Sequence, residues 1–148
     1  SNSNSVTMVK YDYKLQYELI YLNLVYVKDR IFYLNEDMEI VLSDERTILI
    51  PKGFETDLSS IPQIFWGVFK PFDKGLLGDL IHDYLWEDKM AETLYFNNAY
   101  TAQKFADEER LKWRNKLAPE LKIKNWLTHK VLRIFGARYY KGKAKIPK

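Results

Sequence analysis

Between Val9 and Tyr21 the chain alternates. Val9, Tyr11, Tyr13, Leu15, Tyr17, Leu19 and Tyr21 fall on one side, with Asp12, Lys14, Gln16 and Glu18 on the other. A period of two, rich in Tyr and Val, predicts a half-buried antiparallel strand. The alternation blurs over 20–24, where a bulge or tight turn is expected. Lys28-Asp29-Arg30 separates apolar runs at 25–27 and 31–34, which reads as a hairpin. Asn35-Glu36-Asp37 is the next turn. Residues 39–42 and 47–50 form a second hairpin around Ser43-Asp44-Glu45-Arg46. The first third thus predicts an antiparallel sheet of about four to six strands.

Pro51 and Gly53 end the strands, and the period changes. Residues 61–69 are a short apolar segment with Pro62 placed for a helix's first turn and Ser59 or Ser60 as cap. Helical spacing follows over 76–89, over 97–117 (closed by Pro119), and over 122–138. The last carries Ile123, Trp126, Leu127, Val131, Ile134 and Phe135 as one stripe, expected to pack on the sheet. The reading is α+β: an N-terminal antiparallel sheet, then three main helices packed on it. No repeat or linker divides the 148 residues, so one domain is expected. In it, 1–8 form a flexible start, 9–52 the sheet, 53–138 the loop and helices, and 139–148 a frayed basic tail.

Composition narrows the possibilities. The balance of 47% hydrophobic and 29% charged residues is that of a globular chain and argues against wholesale disorder. The absence of cysteine removes disulfides, zinc–thiolate sites, iron–sulfur clusters and a Cys nucleophile, and fits a reducing compartment. No apolar run reaches the roughly 18–20 residues of a membrane span. Ser1-Asn-Ser-Asn-Ser5 has neither the charged nor the apolar region of a signal peptide, so the cytoplasm is the expected location. The net charge of +3 hides a division: residues 110–148 balance at +12 and residues 1–109 at −9. Such asymmetry points to an anionic partner, nucleic acid or a membrane surface, or to two halves that neutralise one another on folding.

The helix at 76 carries the densest chemistry. Leu76, Leu77, Leu80, Ile81, Tyr84 and Leu85 make an apolar stripe, while Asp79, His82, Asp83 and Trp86 share the opposite face. Asp79 and Asp83 are like charges one turn apart, a mild cost that a protonated His82 or a metal would relieve. The face either lines a cleft or is a solvated acidic surface. Upstream, Asp57 is a metal ligand, an acid/base group or an Asx-turn residue. Thr56, Ser59 and Ser60 are substrate donors or helix caps. A Ser60–His82–Asp triad lacks the Gly-x-Ser-x-Gly elbow.

Gly53-Phe54-Glu55-Thr56-Asp57-Leu58-Ser59-Ser60-Ile61-Pro62, followed by His82-Asp83-Tyr84-Leu85-Trp86, resembles the phage and prophage domain-of-unknown-function family 1353. That family shows a Gly-Phe-x-Thr-Asp-x-x-Ser-x-Pro loop, a His-Asp-x-Leu-Tyr helix, an Ala-Asp pair and a late Phe-Gly. The last two stand here as Ala106-Asp107 and Phe135-Gly136, so the resemblance runs from about residue 48 to 138; Trp86 replaces the usual Tyr. The resemblance implies a phage or prophage origin and a shared site at Asp57, His82, Asp83 and Asp107, with no activity attached. Carboxylates with one imidazole suit a divalent cation such as Mg²⁺, Mn²⁺ or Zn²⁺. They equally suit a metal-free His82 base oriented by an Asp, with Thr56, Ser60 and Trp86 near the substrate. A buried polar network that does no chemistry is the third reading. The His-Asp helix is also similar to that of the secreted phospholipases A2, whose cysteines and disulfides this chain lacks.

The basic C-terminal third offers a different class of function. Trp113, Trp126, Phe135, Tyr139 and Tyr140 interleave with Lys and Arg, a pattern that can bind phosphates and stack on bases through Lys130, Arg133, Arg138 and Lys141. It can also seat a helix at a membrane interface. His129 has no acidic neighbour in sequence and reads as incidental. Two expectations follow: an accessory protein with a hydrolase-type His/Asp site, or a non-enzymatic virion or assembly component. The second would bind nucleic acid or phage structural proteins.

Overall fold

The computed structural model describes residues 8–15, 24–28, 31–56, 74–87 and 99–144. The fold is mixed α+β, with six short strands followed by three helices among the described residues. The strands are β1 (Met8–Asp12), β2 (Leu24–Lys28), β3 (Ile31–Leu34), β4 (Asp37–Val41), β5 (Thr47–Ile50) and β6 (Glu55–Thr56). The helices are α1 (Leu76–Glu87), α2 (Ala99–Leu117) and α3 (Lys122–Ala144), with a 3₁₀ turn at Pro119–Leu121 between the last two. The short helix expected at 61–69, the strand continuation at 16–21, the start at 1–7 and the last four residues lie outside the described residues.

The strands form two three-stranded sheets, β1-β4-β5 and β2-β3-β6. Both predicted hairpins are present: β2 pairs antiparallel with β3, and β4 with β5. The wholly antiparallel sheet is corrected on two counts. β1 runs parallel to β4, with Met8 opposite Asp37 and Asp12 opposite Val41. The turn at Asn35-Glu36 does not fold β4 back on β3; it carries the chain from one sheet to the other. β1 also stops at Asp12, whose carboxylate accepts the Lys14 N–H while its carbonyl accepts that of Leu15. This Asx-type turn competes with the strand ladder and leaves Leu15 72% exposed.

Period-two burial holds in β4 and β5. Met38, Ile40, Leu42, Ile48 and Ile50 point inward, and with Tyr11 and Leu34 they join Leu77, Leu80, Ile81, Tyr84 and Leu85 of α1 in one core. α1 is buried on all sides from Leu77 to Trp86, as a central helix is. Its apolar stripe meets the strands' apolar residues, and α2 packs along it.

α3 departs from expectation. It packs on α2 and touches α1, and its inward residues are Asn125, Thr128 and Leu132. Ile123, Trp126, Leu127, Ile134 and Phe135, expected in the core, are exposed. The helix also runs through positions 139–144, which were expected to be frayed tail. Among the described residues, no helix is long and apolar enough to cross a membrane.

Candidate functional site

The polar face of α1 is turned inward, against α2. Two glycines set the distance. A Cβ at Gly78 would stand 3.0 Å from the Arg110 carbonyl oxygen and 3.3 Å from Trp113 Cβ, and one at Gly75 would fall 2.7 Å from the Arg114 guanidinium. This close approach lets the short side chains of Asp79 and His82 reach across the helix pair.

Two arginines of α2 supply the cations beside Asp79. Arg110 Nε lies 2.8 Å from one carboxylate oxygen, and Arg114 Nη1 donates to the other at 3.0 Å. Both arginines are themselves held from α3. Arg114 Nε donates to Asn125 Oδ1 at 2.9 Å, and Arg110 Nη1 donates to Thr128 Oγ1 at 3.0 Å. Asn125 in turn donates to Asn115 Oδ1 and to the Ala118 carbonyl, tying the α2–α3 corner. The expected solvated acidic face is therefore an interior one, neutralised by a second helix.

One turn further along α1, His82 Nε2 and Asp107 Oδ1 share a 2.6 Å hydrogen bond. Arg133 of α3 donates to the other Asp107 oxygen at 2.7 Å. His82 and Asp107 have 0% side-chain exposure, and the Trp86 ring lies 4.4 Å from the imidazole. Burial pushes the His82 pKa down; the hydrogen bond and charge of Asp107 oppose that, and the Arg110 charge reinforces it. His82 is accordingly a neutral imidazole whose Nε2–H is donated to Asp107. Burial likewise lowers Arg110, against the pull of Asp79. At Arg133 burial also works against the charge, but the Asp107 contacts outweigh it and the pKa rises.

His82 and Asp107, two of the residues predicted for the site, are thus brought together. Asp83 is buried on the same helix, and Thr56 is buried in β6 opposite Phe32. Asp57 and Ser60 lie outside the described residues. Among the described residues no three His, Cys, Asp or Glu side chains group to hold a metal. Trp86, expected beside a substrate, packs on His82 in the interior. Of the basic residues, Lys130 is exposed above the Trp126 ring, whereas Arg133 is engaged with Asp107. Arg138 and Lys141 occupy positions on α3. Burial lowers the His129 pKa, with the Asp107 charge opposing the shift and the Arg133 and Arg110 charges reinforcing it.

Sequence reasoning missed Arg110, Arg114, Asn125 and Thr128. A signal was present, since Gln103, Asp107, Arg110 and Arg114 fall at four- and three-residue spacing on one face of α2. Gln103 is also buried, and its Nε2 has no hydrogen-bond partner among the described residues. Glu109 on a neighbouring face fastens the β4–β5 turn, accepting from the Ser43 N–H, the Ser43 hydroxyl and Trp113 Nε1.

Residues 32–117 match the family model described as Protein of unknown function (DUF1353). The chain belongs to that family. The match covers more than half of the chain, from β3 to the end of α2, and so includes Asp79, His82, Asp107, Arg110 and Arg114. Arg133, Asn125 and Thr128 lie beyond its end, as does the Phe135-Gly136 pair. No curated protein and no solved structure matches the chain.

Proposed function

We propose that this DUF1353 chain is a non-enzymatic accessory or assembly component of a phage or prophage. In this reading it acts in the host cytoplasm or on the virion and binds an anionic partner through its basic C-terminal third. The His82–Asp107 pair is then the internal clamp that holds α3 in position. One observation carries the reading: both oxygens of Asp79 and of Asp107 are engaged by protein cations or the imidazole, inside the core. Charge-compensated buried groups of this kind serve to specify a packing arrangement. By charge alone, nucleic acid and an acidic surface of a phage structural protein both suit the basic third.

The 2.6 Å His82–Asp107 bond also supports a second reading, a hydrolase-type site. An Asp-oriented neutral imidazole is the arrangement of a general base. Asp57 and Asp83 would complete it, with or without a divalent cation, and Thr56, Ser60 and Trp86 would border the substrate.

Thermal melting of wild type and His82→Ala with and without Mg²⁺, Mn²⁺ or Zn²⁺ separates the two. The clamp predicts a large loss of stability in the variant and no metal response in either protein. A metal-induced rise in the wild-type midpoint, absent from a normally stable variant, assigns the site to the hydrolase-type reading instead.

A further inference from the structure

α3 is built with its polarity reversed. Its inner face presents Asn125 and Thr128 to the arginines of α2, while its outer face presents Ile123, 76% exposed, and Ile134, 70% exposed. At 100° per residue, Ile123, Trp126, Leu127, Lys130 and Ile134 fall within about a third of the circumference, a row about 17 Å long. Beside this row, Ile123 and Trp126 meet Leu111, Asn115 and Lys122 around a cavity of about 450 Å³. A contiguous apolar face of this sort marks a docking surface.

The charges around the face indicate what docks there. α3 carries seven Lys or Arg and no acidic residue. Lys122 and Lys130 are exposed at the row, and the Lys130 ammonium sits 5.5 Å from the centroid of the half-exposed Trp126 ring. Positions 138 and 141 continue the same side by helical spacing. A basic helix with an apolar row and a Trp–Lys pair at its edge has the chemistry of the boundary between headgroups and acyl chains. Nucleic acid fits the same surface less well. Isoleucine and leucine offer nothing to phosphates, and the Arg133 guanidinium is bound to Asp107. A protein partner would ordinarily be selected by charges of both signs that set a register, and this helix has one sign only.

We infer that the outer face of α3 docks on an anionic lipid bilayer surface, lying in the interface plane with Ile123, Trp126, Leu127 and Ile134 among the acyl chains. The inference rests on the non-enzymatic binding reading and names its partner. The test is co-sedimentation of the full chain with phosphatidylcholine vesicles that contain or lack phosphatidylglycerol. Binding is expected only with phosphatidylglycerol, and salt should weaken it. Ile123→Ser combined with Ile134→Ser should weaken binding by about tenfold or more. Both sites are exposed, so the variant should melt as wild type does, and Lys130→Gln should bind less tightly.

The inference is overturned by absent binding, by equal binding to both vesicle types, or by unchanged binding of the double variant. It is also overturned by a concentration-dependent dimer that the double variant abolishes, since the face then belongs to a second copy. Tight duplex-DNA binding unaffected by the serines, without vesicle binding, returns the basic third to nucleic acid. None of these outcomes involves His82, so they are separate from failure of the clamp reading, which the metal-response experiment detects.

Discussion

His82 of α1 and Asp107 of α2 meet through a single 2.6 Å hydrogen bond, and Arg133 of α3 closes the other side of the same carboxylate. Three helices therefore converge on one buried group. A carboxylate so placed is stable only with its partners present, because burying an uncompensated charge costs several kcal/mol. The Asp107 carboxylate thus ties α3, through Arg133, to the α1–α2 pair.

Removing either partner should destabilise the fold. Asp107→Ala leaves Arg133 and His82 without their acceptor and should cost about 3–5 kcal/mol. His82→Ala loses the bond and the packing under Trp86, on the order of 3 kcal/mol. Urea denaturation of the two single variants and the double variant reads the coupling. Single losses below about 1 kcal/mol would show that the pair is not structural.

Acid should weaken the protein before carboxylates titrate. His82 is held neutral, with its folded pKa below the 6.5 of the free side chain, and burial lowers His129 too. Below about pH 6.5 the unfolded chain takes up protons that the folded chain excludes. Stability is therefore complete above that pH and declines as pH falls towards the folded values. Urea midpoints at pH 7 and pH 5 should show the decline, and His82→Gln should flatten it. A midpoint that rises on acidification would mean that His82 is charged in the fold.

Gly78→Ala should destabilise although alanine is the better helix former. The new Cβ would press on the Arg110 carbonyl oxygen at 3.0 Å, a backbone atom with little freedom to move. Overpacking of this kind costs about 1–3 kcal/mol, more than the propensity gain of about 1 kcal/mol. A thermal melt of the single variant decides the sign.

Position separates two kinds of ion pair in this molecule. Asp79→Ala strands the buried Arg110 and Arg114 and should cost about 3–5 kcal/mol. Glu120→Ala breaks the exposed pair with Lys74, and its denaturation curve should lie close to that of wild type. Comparable losses in the two variants would contradict the burial of the α1–α2 interface.

Local pattern was enough for most of the described elements, though not for β6, which falls where a loop is expected. Alternation at 39–42 and 47–50 located a hairpin and its inward residues, and three- and four-residue spacing located the three described helices. The Gly-Phe-x-Thr-Asp and His-Asp motifs marked the family, and His82 and Asp107 were both named as site residues. These features belong to segments a few residues long, and the side chains that decide them are adjacent in the chain.

Tertiary structure decided direction and partner. Alternation in β1 defines two faces but not whether the neighbouring strand runs parallel, which depended on how 24 residues connect Asp12 to β4. The stripes on α1 and α3 likewise show that two faces differ without saying which is inside. Asp79 and His82 are interior because Arg110, Arg114 and Asp107 arrive from another helix to compensate them. Ile123 and Ile134 are exterior because the inward side of α3 is taken by Asn125 and Thr128, which answer those same arginines. Burial of a charge is settled by its partner, and the partner comes from elsewhere in the chain.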